Sequence, residues 1–168
     1  VFTGNMSYPP NINAVVYIAE KVMPILISKL PNIKFLIAGA TPTNDVKALQ
    51  SNNIYVTGWL DDIRDAYNES KVFLAPLQIG TGLQNKLLEA MVMKIPCITS
   101  SLANNAIGAT HRKNILIGNT PKEYADLVME CLVNNEKTRT IAEEGKLHVT
   151  QNFNWLALSN ELGQILFP

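Results

Sequence analysis

One repeated unit limits what this chain can fold into: a short run of bulky apolar residues closed by glycine or proline, a polar loop, then apolar residues at helical spacing. Val1-Phe2-Thr3-Gly4, Lys34-Phe35-Leu36-Ile37-Ala38-Gly39, Ile54-Tyr55-Val56-Thr57-Gly58 and Val72-Phe73-Leu74-Ala75-Pro76 are such runs, and Cys97–Ser100 and Asn114–Gly118 repeat them. Continuous apolar runs of this length describe strands buried on both faces. Between them, Val15, Ile18, Ala19, Val22, Ile25 and Leu26 recur at helical spacing, with Asn11 as the expected N-cap and Pro24 expected to kink or divide the helix. Further helices are expected over Asp45–Gln50, from a cap at Asp61 through Ala66 and Tyr67, and over Leu83–Met93. After Pro121, suited to a first helical turn, comes the stripe Tyr124, Leu127, Val128, Cys131, Leu132. Two more helices, Lys137–Gln151 and Trp155–Leu166, complete the chain, and Ser101–Lys113 reads as a loop with a short helix. Strands alternating with helices predict an α/β domain, a doubly wound, Rossmann-like parallel sheet of about six strands with helices on both faces. Ligands of such sheets bind beyond the carboxyl ends of the strands, where the winding reverses. The loops after Gly4, Gly39, Gly58 and Pro76 should therefore share one crevice.

The 168 residues make about one domain. Fourteen basic and fourteen acidic residues cancel, so no overall field favours nucleic acid or an anionic membrane. Cys97 and Cys131 sit in apolar settings and read as buried reduced thiols, which points to a cytoplasmic location. No apolar run is expected to reach the roughly 20 residues of a bilayer span, and no signal peptide is read. Because Val1 already lies in a strand-like run, we expect the chain to be a piece of a longer protein.

The functional lead is Gly80-Thr81-Gly82-Leu83-Gln84-Asn85-Lys86-Leu87-Leu88-Glu89-Ala90-Met91, a glycine turn running from a strand into a helix. Such a junction aims free N–H groups and the positive end of a helix dipole at one point, which suits phosphate. Leu83, Leu87, Ala90 and Met91 are expected on the sheet-facing side, with Asn85, Lys86 and Glu89 together on another. Lys86, one turn from Gly82, can add a full charge. Glu89 lies roughly 10 Å from Gly82 at about 1.5 Å per residue, about one sugar ring further. A carboxylate there can accept two ribose hydroxyls, so turn and carboxylate together describe a site for a nucleoside diphosphate. The competing reading makes Lys86 and Glu89 a surface ion pair worth about 0.2 to 0.5 kcal/mol. The stretch has neither the spacing of a dinucleotide fingerprint nor a Walker lysine. No cysteine–histidine cluster suggests zinc, and His111-Arg112-Lys113 and His148 read as solvated surface.

This stretch, followed by Ile95-Pro96-Cys97-Ile98, resembles the donor-binding region of GT-B glycosyltransferases of family 4. Phe2-Thr3-Gly4, Phe35-Leu36-Ile37-Ala38-Gly39, Val56-Thr57-Gly58-Trp59-Leu60-Asp61-Asp62, Val72-Phe73-Leu74-Ala75-Pro76 and Phe153-Asn154-Trp155 extend the likeness over nearly the whole chain. The resemblance implies one donor-binding domain, residues 1–168, from an enzyme whose missing N-terminal half binds the acceptor. It implies metal-independent, retaining transfer from a nucleotide-diphospho-sugar, with no cofactor, and places any peripheral membrane association in the missing half. Glu89 matches the second glutamate of the family's E-x7-E motif, which holds the ribose. Trp59 and Leu60 match the nucleobase loop, with Trp59 as a packing aromatic the alternative.

Two departures stand out. Thr81 occupies the place of the first motif glutamate, and Asn5, just after Gly4, stands where the family carries a diphosphate-binding arginine. Pro9-Pro10-Asn11 covers the place of the usual lysine, and Lys86 is the expected substitute cation. The isolated chain is expected to bind nucleotide without turnover. A sugar-nucleotide epimerase of the same architecture and a catalytically silent binding module are the rival readings.

Overall fold

The computed structural model describes residues 1–80 and 82–153. Its strands are β1 (Phe2–Thr3), β2 (Phe35–Ala38), β3 (Ile54–Gly58), β4 (Phe73–Ala75), β5 (Cys97–Thr99) and β6 (Leu116–Ile117). They form two parallel three-stranded sheets, β1-β2-β3 and β4-β5-β6. Val1 N donates to Val72 O at 2.8 Å and Leu74 N donates to Val1 O at 3.0 Å, which ties the start of β1 to β4 in a parallel ladder. The spatial order is therefore 3-2-1-4-5-6, and the winding reverses between β1 and β4. The expected α/β architecture, with six parallel strands, is what the described residues adopt.

The helices are α1 (Pro9–Tyr17), α2 (Met23–Lys29), α3 (Asn44–Lys47), α4 (Ile63–Asn68), α5 (Asn85–Val92), α6 (Ser101–Asn104), α7 (Pro121–Val133) and α8 (Asn135–Asn152). A π-helical turn, Ile18–Val22, makes α1 and α2 one continuous helix. Pro24 neither breaks nor divides it. Met23 N bonds Ile18 O, five residues back, and the extra residue in that turn absorbs the missing proline donor and its ring. This stretch, Pro9–Lys29, has 21 residues, and an 18-residue window of it has a mean hydropathy of 1.2, enough by length and composition alone to cross a membrane. That corrects the expectation of no such run. Here Ala14, Val15, Ile18, Val22, Met23 and Leu26 are buried in the core.

Phe2, Ile37, Phe73 and Ile98 fill the centre of the sheet, and the rings of Phe2 and Phe73 stack with centroids 6.3 Å apart. The helices α1, α2 and α7 pack together, and α8 lies against α5. Cys97 and Cys131 are free and buried, as expected, and burial pushes the Cys131 thiol up to about 11.

Several boundaries shift. The residue before α1 is Tyr8, not Asn11, and Asp62 rather than Asp61 caps α4. The lead helix begins at Asn85, so Leu83 stays in the loop, exposed, instead of facing the sheet. Ser101–Lys113 does contain a short helix, α6. The helix expected over Trp155–Leu166, and Asn154-Trp155 of the Phe153-Asn154-Trp155 motif, lie outside the described residues.

Candidate nucleotide site at the sheet reversal

At the carboxyl ends of β1 and β2 the backbone is packed too tightly for side chains. Gly39, at φ +138°, lies so close to Gly4 that a Cβ on it would sit 1.9 Å from Gly4 O. A Cβ on Gly4 would come within 2.7 Å of Asn11 Nδ2 and 3.3 Å of Lys86 Cε. Glycine at both positions lets the loops after β1 and β2 close on each other and on α5. Met6 N donates to Ala40 O at 2.8 Å and seals the pair.

Asn11 joins the loop after β1 to the lead helix. It is 3% exposed, its Nδ2 donates to Asn5 O at 2.8 Å, and its Oδ1 accepts from Lys86 Nζ at 2.7 Å. Lys86 also donates to Gln84 Oε1 at 3.3 Å and stands 5.3 Å over the Phe2 ring. These partners are all neutral, and the ammonium is half-buried. Burial is the main reason its pKa falls to about 8, with the Glu89 charge opposing. The surface ion-pair reading is thereby corrected: among the described residues Lys86 bonds to Asn11 and Gln84, not to Glu89. Around it, α5 starts without a side-chain cap and without an acid in its first turn. A lysine hydrogen-bonded only to neutral groups beside an uncapped helix start is a place for an anion.

Glu89, one turn further on the same helix, is exposed, and its Oε2 accepts from Tyr67 Oη at 3.0 Å. Tyr67, from α4, is 1% exposed, and its hydroxyl also lies 2.7 Å from Thr3 Oγ1 and 3.3 Å from Lys86 O. Strand β1, α4 and α5 thus meet at one phenol.

Of the expected site residues, Gly4, Lys86 and Glu89 come together at the reversal. Gly80, at φ +97°, lies near Gln84 Nε2, and Gly82 faces open space in the loop before α5, beside exposed Leu83 and Asn85. Thr81 lies outside the described residues. The Asn5 carboxamide braces the loops: its Oδ1 accepts from Ser7 N at 2.9 Å and Thr41 Oγ1 at 2.5 Å. Trp59 follows Gly58 in the loop after β3 and is 73% exposed, which removes the packing alternative; Leu60 beside it is half-buried. Sequence reasoning missed Asn11 and Tyr67. A tyrosine in the apolar slot of a short helix must place its hydroxyl somewhere, and that was the available signal. Elsewhere, His111 Nδ1 accepts from Ile117 N at 2.8 Å. His148 is half-buried rather than solvated, with Nε2 2.9 Å from Ile107 O. Among the described residues no group of three His, Cys, Asp or Glu could hold a metal.

A doubly wound domain with a crevice at its switch point has the architecture in which α/β folds bind ligands beyond the carboxyl ends of their strands. The pattern of the family described as glycosyl transferases group 1 matches residues 1–134, so the chain belongs to that family. It is 22% identical over 162 residues to an uncharacterized 44.6 kDa protein in the cps region of Klebsiella pneumoniae, covering 91% of this chain and 42% of that protein. The chain thus spans well under half the length of that relative. In fold it is similar to Anabaena HepE in complex with UDP and glucose (TM-score 0.80, 16% identity, 98% of this chain and 46% of that one). It is also similar to the C-terminal domain of a glycosyl transferase group 1 family protein from Francisella tularensis (TM-score 0.73, 16% identity, 92% of this chain and 85% of that one). In fold, the chain is thus like that C-terminal domain over nearly its whole length.

Proposed function

We propose that this chain is the donor-binding domain of a retaining, metal-independent glycosyltransferase that uses a nucleotide-diphospho-sugar. The observation that carries the reading is the half-buried Lys86 ammonium, which has only neutral partners and stands at the uncapped start of α5. The diphosphate lies against that ammonium and the N–H groups from Gly82 to Asn85. The ribose hydroxyls donate to Glu89, and the base rests near Trp59 and Leu60. As the bond from the anomeric carbon to the diphosphate breaks, negative charge grows on the departing oxygen, and Lys86 with the helix start stabilises it. Lys86 therefore does the work of the family's arginine and lysine, and Asn5 shapes the loop instead of meeting the phosphate.

The acceptor is bound by an N-terminal domain that this chain does not contain. On this reading the chain binds nucleotide without turning over, in the cytoplasm, and the longer enzyme carries any membrane association. Titrating it calorimetrically with UDP, GDP and ADP tests the reading, UDP first because HepE binds it. Binding of one of them in the millimolar range or tighter, weakened about tenfold or more in Glu89→Ala, is the expected outcome. No binding of any nucleoside diphosphate overturns it.

A further inference from the structure

The carboxylate of Glu89 is not free to choose its own direction. One oxygen, Oε2, is held by Tyr67 Oη at 3.0 Å, and among the described residues Oε1 has no protein donor. Tyr67 is itself fixed. It is buried at the end of α4, its ring packs on Phe73 at 5.7 Å between centroids, and its hydroxyl is 2.7 Å from Thr3 Oγ1. A carboxylate and a carbonyl can only accept, so the phenol proton goes to Glu89 at 3.0 Å, the shorter contact and the charged acceptor, with Lys86 O at 3.3 Å as the secondary one, and the Thr3 hydroxyl donates to the phenol oxygen. Thr3 is 2% exposed and lies at the end of β1, one residue before Gly4. Burial, reinforced by the Glu89 charge, pushes the Tyr67 phenol well above its ordinary range, so it stays a donor at any working pH.

We propose that Tyr67, braced by Thr3, is a positioning residue for ribose recognition: it pins Oε2 of Glu89 and leaves Oε1 turned to the crevice as the acceptor for a ribose diol. This rests on the donor-site reading above and adds its selectivity. The pinned carboxylate distinguishes a ribonucleotide from one without ribose hydroxyls, and α4, through Tyr67, sets that distinction. A carboxylate without the pin would spread over several rotamers, and ordering it on binding would weaken the diol contact.

The test compares UDP with 2′,3′-dideoxy-UDP by calorimetry on the 168-residue chain, reading the ratio of the two affinities. In the unaltered chain UDP binds more tightly, and Glu89→Ala brings the ratio close to one. Tyr67→Phe, which keeps the ring and removes the hydroxyl, is expected to lower the ratio about fivefold with dideoxy affinity unchanged. Thr3→Val is expected to lower it by about twofold and serves alone if Tyr67→Phe does not fold. A merely structural phenol would lower both affinities together and leave the ratio intact. If Glu89→Ala collapses the ratio while Tyr67→Phe and Thr3→Val retain it, the positioning role is wrong and the donor site stands. If the unaltered chain shows no preference for UDP, the ribose role of Glu89 fails and the positioning role with it.

Discussion

The two ends of the sheet differ in a way that separates a site from a hole. At the amino ends of the strands lies a cavity of about 930 Å³, bordered by Val1, Leu30, Lys34, Phe35, Lys71 and Val72 among others. It is large and mostly apolar. Of its two lysines, Lys34 is already used, with Nζ donating to Asn52 O at 2.7 Å and standing 5.5 Å over the Tyr55 ring. The carboxyl ends hold instead a lysine whose hydrogen-bond partners are all neutral, an uncapped helix start and a carboxylate with one oxygen bound. Volume reports where side chains fail to meet. Unspent charge and open hydrogen-bonding capacity report where a ligand is expected.

The largest way to break this contrast is at the glycine pair. Gly39→Ala would put a Cβ 1.9 Å from Gly4 O at a backbone angle that disfavours any side chain. We expect a loss of more than about 3 kcal/mol in a denaturant titration, with the crevice opened and nucleotide affinity lost. Lys86→Met comes next and sharpens the contrast, because it should separate stability from binding. The apolar stem stays and the buried charge goes, so the melting temperature should hold or rise while UDP affinity falls about tenfold.

A pH series gives a smaller effect of the same kind. The Lys86 ammonium loses its proton near 8 in the fold instead of near 10.5. Between those values the unfolded chain binds more protons, so this residue's contribution makes the fold more stable as pH rises. Nucleotide binding runs the other way, because an anion needs the charged form, and UDP affinity should decline as pH passes about 8. The smallest effect is expected at the opposite end of the sheet: Lys34→Ala should leave nucleotide affinity unchanged.

Much of the fold was legible because each strand is a bulky apolar run closed by glycine or proline, from Phe2-Thr3-Gly4 to Phe73-Leu74-Ala75-Pro76. Those runs leave little freedom over which segments pair. Cap positions were less legible, since Asp61 and Asp62 are equivalent as sequence and it is Asp62 whose extended backbone lets its carboxylate accept from Arg64 N. Pro24 pointed to a kink because a π turn is chosen by packing on the core, not by the proline alone. In the candidate site, Lys86 and Glu89 could be placed by helical spacing along one element. Asn11 and Tyr67 could not, because Asn11 meets Lys86 across 75 positions and Tyr67 meets Glu89 across 22. Such partners are set by how β1, α4 and α5 dock, which no local pattern records.

The most direct test of where the ligand sits is a map of amide chemical shifts during a UDP titration. The account predicts that the largest changes fall at Gly4, at Gly82 to Lys86, at Glu89 and at Trp59, with Leu30 to Lys34 and Lys71 unmoved. Changes centred on Leu30 to Lys34 and Lys71, with Lys86 and Glu89 silent, would contradict it and move the site to the other end of the sheet.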